Sequence, residues 1–119
     1  MSTPHIPCLR LGKPYVSLNQ SSVNDYRDGS KKATLSQVNA GIIRRDILRL
    51  NDAKAALNKI STNELIEISA KAGELFLKAD LPVGVDGATH SPEDYISTLS
   101  STSGLPHVMV RRNMDKIHY

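Results

Sequence analysis

The sequence predicts a mixed α/β chain, with strands and a β-hairpin in residues 1–39 and about four helices in residues 40–119. Three observations carry that division. Asp28-Gly29 sits between two strand-like runs, and the apolar spacing changes at Ala40. Ser61 and Ser91, both suited to helix caps, each precede a helical pattern.

The first segment reads as extended because Pro4, Pro7, Gly12 and Pro14 break any helix. Cys8-Leu9-Arg10-Leu11 alternates apolar and polar side chains over a short strand, and Lys13-Pro14-Tyr15-Val16-Ser17-Leu18 continues the alternation. Residues 19–24 read as a polar linker. Residues 23–27 and 32–38 then flank Asp28-Gly29-Ser30. Asp-Gly between two such runs signals a hairpin, because glycine accepts the positive φ that the turn demands.

From Ala40 the period becomes helical. Ile43, Ile47, Leu50, Leu57 and Ile60 recur at spacings of three, four and seven, with Ala53 near the same face, and Arg44, Arg45, Arg49, Asp52 and Lys59 stand opposite. The pattern predicts an amphipathic helix of about six turns, bent at Asn51-Asp52. Ser61-Thr62-Asn63-Glu64 is a capping box that opens a second helix running to about residue 78. Its inner stripe is expected to be Leu65, Ile68, Ala72, Leu75 and Ala79, packed antiparallel on the first helix. Residues 81–88 read as a loop. Ser91-Pro92-Glu93-Asp94 starts a third helix that stops before Gly104, and Leu105-Pro106 opens a last one with Val108, Met109, Arg112 and Lys116.

At 119 residues the chain is too short to hold a complete two-domain dehydrogenase, a TIM barrel or a kinase. Apolar residues make up 39% and aromatics 4%, so its core must be built from Ile, Leu, Val and Ala, and a small chain buries a smaller share of its surface. The formal charge is +3, and the basic residues come as scattered pairs, Lys31-Lys32, Arg44-Arg45 and Arg111-Arg112. Neither a dense basic patch nor an aromatic platform is available, so no nucleic-acid partner is expected. No apolar run approaches ~20 residues, so no membrane partner is expected either. The start, Met1-Ser2-Thr3-Pro4-His5, does not read as a signal peptide, which leaves Asn19-Gln20-Ser21 without weight as a glycosylation sequon. Cys8 is the single cysteine, and the expected compartment is the cytoplasm.

Chemistry-bearing constellations are sparse. His5 and Cys8 have the spacing His-x-x-Cys, but a metal site wants three or four ligands and no others lie nearby; the four histidines read as ordinary surface residues. Cys8 lacks a local base and reads as a small strand hydrophobe rather than a nucleophile. Gly12-Lys13 lacks the earlier glycine of a phosphate loop, and Gly84-x-x-Gly87 lacks the third glycine of a dinucleotide fingerprint. Glu64, Glu67 and Glu74 with Lys71 and Lys78 form a solvated helix face, and Glu93 and Asp94 suit a helix first turn. No catalytic, cofactor-binding or metal-binding residue is assigned.

The order of the pieces is more informative than any one of them. A strand at Gly12-Lys13-Pro14-Tyr15 precedes a hairpin turning at Asp28-Gly29. The exit Ala33-Thr34-Leu35-Ser36-Gln37-Val38-Asn39-Ala40 leads into an alanine-rich helix, Asp52-Ala53-Lys54-Ala55-Ala56-Leu57. A capped helix with Glu64-Leu65-Ile66 and Ala72-Gly73-Glu74-Leu75-Phe76 follows. Over residues 9–79 this resembles the N-terminal segment of the aldehyde dehydrogenase superfamily. The tail, with Ser103-Gly104-Leu105-Pro106 and Arg111-Arg112-Asn113-Met114, looks like a divergent, acyl-reductase-like member.

The resemblance implies an NAD(P)-dependent oxidoreductase in which a catalytic Cys, a general-base Glu and an oxyanion-hole Asn lie downstream of this segment. None maps onto a position here, and Cys8 is not that nucleophile. NAD or NADP is implied for the full-length family, and neither is expected to bind this chain alone. Residues 40–119 would then be part of an incomplete cofactor-domain region, inactive in isolation. Ile43, Ile47, Leu50, Leu57, Leu65, Ile68 and Leu75 would dock on the remainder of the dehydrogenase chain or on another subunit. The alternative is a small helical protein–protein interaction module using the same stripes.

Overall fold

The structure, a computed structural model, describes residues 3–119, so Met1 and Ser2 of the extended segment lie outside it. The described chain is mixed α/β, with five helices and three small sheets.

The first sheet has the order β1-β5-β4. Strand β1 (His5–Ile6) runs parallel to β5 (Lys31–Ser36), with His5 opposite Thr34 and Ile6 opposite Leu35. Strand β4 (Gln20–Asn24) pairs antiparallel with β5, from Gln20 opposite Ser36 to Asn24 opposite Lys31. The Asp28-Gly29 turn therefore joins a true hairpin, and Gly29 has φ +74. The strand entering the turn lies at Gln20–Asn24, in the stretch that reads as polar linker. Its face is mostly solvated, so no apolar alternation marks it. Within the turn, the Gly29 N–H donates to the Asp25 carbonyl at 2.9 Å and the Ser30 N–H to the Asp28 carboxylate at 2.8 Å.

A second hairpin pairs β2 (Cys8–Arg10) with β3 (Lys13–Tyr15) through Leu11-Gly12. A third pairs β6 (Leu81–Val83) with β7 (Ala88–His90), replacing the loop expected there. Its strands are three residues each, too short to show a period, and its turn carries Gly84 and Gly87 at φ +74 and +75.

The long amphipathic helix expected from Ala40 is two helices, α1 (Ala40–Ile47) and α2 (Leu50–Leu57), broken at Leu48-Arg49 rather than at Asn51-Asp52. Asn39 caps α1 by accepting from the Ile42 N–H at 2.9 Å, whereas α2 has no side-chain cap. Helix α3 (Thr62–Lys78) opens on the capping box of Ser61 and Glu64. Helix α4 (Pro92–Ser103) opens on the equivalent box of Ser91 and Asp94 and ends at Gly104, φ +79. Helix α5 (His107–His118) closes the chain.

The core lies among α3, α4 and α5. Ile96, Val110 and Met114 are buried, and Phe76, Leu77, Tyr95, Leu99 and Leu105 pack around them. Val110 and Met114 share a face of α5 at a spacing of four. Phe76 meets Tyr95 edge-on, with ring centroids 5.0 Å apart and an interplanar angle of 76°. The expected pairing of the first and second helical segments is not formed. Helix α3 packs instead on α5 and α4, and α1 and α2 bury no side chain. The inner face of α3 is correspondingly Gly73, Phe76 and Leu77, while Ile68 and Leu75 face outward. Gly73 marks the close approach of α3 to α5: a Cβ there would stand 3.2 Å from His118 Cα, a tight contact that a shift of a few tenths of an ångström would have to relieve.

Backbone hydrogen bonds join one sheet to α4 and two sheets to each other. The Tyr26 N–H donates to the Ser101 carbonyl of α4 at 2.9 Å, and the Val85 N–H donates to the His5 carbonyl of β1 at 3.1 Å. Arg111 of α5 reaches Glu93 of α4 through both Nη1 and Nη2, at 2.6 and 2.8 Å. The Cα radius of gyration is 16.7 Å, against about 13.5 Å for a compact domain of this length.

The β6–β7 turn supplies a paired test of its packing on β1. At Gly84 a Cβ would fall 2.2 Å from the His5 carbonyl oxygen, whereas at Gly87 it would meet open space. Gly87→Ala should lose about 1 kcal/mol by urea denaturation, the cost of positive φ alone. Gly84→Ala should lose at least about 2 kcal/mol, because the backbone must also move. Equal losses at the two sites would contradict the contact.

Candidate functional site

The residues expected to dock elsewhere lie on three helices. Ile43 and Ile47 stand on one face of α1 at a spacing of four, and Leu50 and Leu57 on α2 at a spacing of seven. Leu65, Ile68 and Leu75 lie along α3. Leu65 is half-buried, and the other six are between 41% and 58% exposed. The structure does not gather them into one packed pair, since α1 and α2 make no substantial contact with α3. They form two apolar rows, one on the α1–α2 arm and one on the outer side of α3.

The arm is held to the strands by one ion pair. Arg10 of β2 donates from Nε and Nη2 to Asp46 of α1 at 2.8 and 2.7 Å. Its guanidinium also lies 4.8 Å from the Tyr15 ring centroid, across the same hairpin. Hydrogen bonding to Arg10 lowers the Asp46 carboxyl below its ordinary range, and the same bonds raise the guanidinium. Around this pair, the β2–β3 turn and the end of α1 enclose a groove of about 420 Å³ that Lys13, Arg45 and Arg49 also line.

A second polar cluster ties the strands together. His5 Nδ1 is 2.7 Å from Thr34 Oγ1, and Nε2 is 2.8 Å from Ser36 Oγ. Ser36 Oγ also accepts the Ser17 N–H at 3.0 Å, and the Cys8 thiol donates to the Ser36 carbonyl at 3.2 Å. His5 is therefore a half-buried strand tie rather than the free surface histidine its sequence context suggests. Cys8 is half-buried, and its one hydrogen-bond partner among the described residues is the Ser36 backbone carbonyl. A histidine touching two hydroxyls invites a nucleophile–base reading, but Ser36 is buried and its hydroxyl already joins Ser17 to His5. The cluster does structural work at the β1–β5 register.

Asp25 anchors the β4–β5 turn. It is 3% exposed, and its carboxylate accepts the Arg27 backbone N–H at 2.9 Å and the Arg27 guanidinium at 3.0 and 2.8 Å, with Lys32 Nζ at 3.7 Å. These contacts, the Arg27 side chain above all, hold its carboxyl far below the usual range. Asp25 carries no sequence signal, because its main partner, Arg27, is two residues away in a turn, a local geometry with no periodic signature.

Among the described residues no group of three or more His, Cys, Asp or Glu side chains is placed to hold a metal ion. At the starts of α3 and α4 the N-cap amides of Ser61 and Ser91 donate to the Glu64 and Asp94 carboxylates at 2.8 and 2.9 Å. No described helix is long and apolar enough to cross a membrane. Of the arginine pairs, Arg44-Arg45 lies on α1 and Arg111-Arg112 on α5, where Glu93 holds Arg111. Comparison with protein-family models, with curated proteins and with solved structures returns no match.

The turn anchor has a pH signature. Because the folded Asp25 carboxyl ionises at lower pH than the unfolded one, its stabilisation is complete above the unfolded value, near about pH 4. It is lost as pH falls below that value toward the depressed folded one. The urea midpoint should therefore drop between pH 5 and pH 2, and Asp25→Asn should flatten that drop while lowering the midpoint at neutral pH. An unchanged pH slope in the variant would remove Asp25 from this role.

Proposed function

We propose that this chain acts as the N-terminal portion of an aldehyde dehydrogenase-like, NAD(P)-dependent oxidoreductase, as a docking layer rather than a reacting one. The observation that carries the reading is the separation of core from apolar surface. The buried cluster is confined to α3–α5, while the isoleucines and leucines of α1, α2 and outer α3 stay open to solvent. Exposed apolar helix faces of this kind are what a surface destined for burial presents. The motif order over residues 9–79 supplies the family, and the remainder of such an enzyme supplies the partner, cofactor and catalytic groups. A cytoplasmic setting suits the single free cysteine.

The second reading, a small helical interaction module, is favoured by the Arg10–Asp46 clamp. That pair holds the α1–α2 arm against the β2–β3 hairpin without burying its apolar row. Both readings predict that the isolated chain oxidises no aldehyde with NAD or NADP and that it binds a hydrophobic dye. Ile43→Glu with Ile47→Glu should cut the dye signal while circular dichroism stays unchanged. A cooperatively folding monomer that binds no dye would sink both. The coding sequence beyond the Tyr119 codon separates them: an in-frame cysteine in a glycine-rich setting selects the dehydrogenase, and an immediate stop codon selects the module.

A further inference from the structure

Two grooves meet at the β2–β3 turn. The basic groove around Arg10 and Asp46 continues into a second, of about 550 Å³, lined by Gly12, Ala53, Ala56, Leu57 and Ile60 together with Asp52. Leu11 and Arg49 line both. One end is therefore cationic and the other apolar, and the small side chains of Ala53 and Ala56 leave the floor of the apolar end open.

The charge at the basic end is concentrated. Along the two grooves together, Arg10, Lys13, Arg45 and Arg49 stand against the two carboxylates of Asp46 and Asp52, a net +2, with all four cations at the first groove. Asp46 occupies Nε and Nη2 of Arg10, and Asp52 engages Nε of Arg49 at 3.1 Å. Lys13 and Arg45 enter no ion pair among the described residues.

The junction itself is strained. Leu11 is the one non-glycine residue at positive φ (50°) among the described residues, and its apolar side chain is 42% exposed. A turn position of this kind ordinarily takes Gly or Asn. The Leu11 side chain lies where the two grooves join, on the lining of both.

We propose that the continuous groove binds one single-tailed anionic amphiphile, an alkyl carboxylate or alkyl phosphate. Its head lies at Lys13 and Arg45, and its tail passes Leu11 to lie along Ala53, Ala56, Leu57 and Ile60. A nucleotide fits less well, because Arg10 already covers the Tyr15 ring and the second groove offers mainly aliphatic walls. The site needs only this chain and does not rest on the dehydrogenase reading; Leu57 is the one residue it shares with the docking rows.

The test is an amide NMR titration of the whole chain with decyl phosphate and decanoate, kept below their micelle-forming concentrations. Saturable shifts at Gly12, Ala53 and Ala56 are expected, with octyl phosphate weaker by roughly fourfold or more, from the methylenes removed from water. Lys13→Glu with Arg45→Glu should weaken binding roughly tenfold, the loss of a charged hydrogen bond. Ala56→Leu should fill the floor and abolish the dependence on tail length. Equal affinity for decyl maltoside or decyltrimethylammonium would overturn the anionic head. Equal affinity for inorganic phosphate would overturn the tail. Binding to phosphatidylglycerol vesicles without binding to monomeric decyl phosphate would overturn the groove in favour of a membrane surface.

Discussion

The contact of Ile96 with Val110 and Met114 is the constraint on which the remaining structure hangs. Among the described residues it is the one place where apolar side chains from two helices are almost fully withdrawn from water, and α3 joins it through Phe76 and Leu77. Helix α4 then carries the rest. Its Ser101 carbonyl receives Tyr26 from the β4–β5 turn, and its N-terminal half adjoins β7, whose hairpin partner runs on to β1. Without that small cluster the short strands have no surface to lie on, since two- and three-residue ladders do not stand alone.

Polar contacts do the work that a larger core performs elsewhere. The β1–β5 register is fixed by His5 between Thr34 and Ser36, the β4–β5 turn by Asp25, and the α1–α2 arm by Arg10 with Asp46. In the first two cases, a buried or half-buried group is matched by partners on several of its atoms. No buried side-chain nitrogen or oxygen among the described residues lacks a partner. Such groups specify geometry more than they add stability, because each exchanges water for protein at a small net gain.

What the sequence made legible was local. The Asp28-Gly29 turn, the capping boxes at Ser61 and Ser91 and the stop at Gly104 depend on residues within four positions of one another, and all are present. Features set by distant partners were hidden. The stripe through Leu65, Ile68 and Leu75 is as apolar as the true inner face of α3, and what tells them apart is the packing of α4 and α5, which lie far along the chain. The break at Leu48-Arg49 carries neither Gly nor Pro, so the apolar period runs through it unmarked. Strand β4 was hidden by its own polarity, and β6 and β7 by their brevity. For the site, the exposed rows follow from helical periodicity alone, whereas the basic groove needs the β2–β3 hairpin folded beside α1.

The α1–α2 arm has a thermodynamic consequence. Its helices are eight residues each, bury no side chain, and reach the rest of the molecule chiefly through one partly exposed ion pair. Helices that short are marginal in water. Heating would therefore unravel the arm before the bundle, in a broad step with little heat compared with the main one. A single melting temperature would describe only α3–α5, and whatever covers the arm would reveal itself by merging two transitions into one.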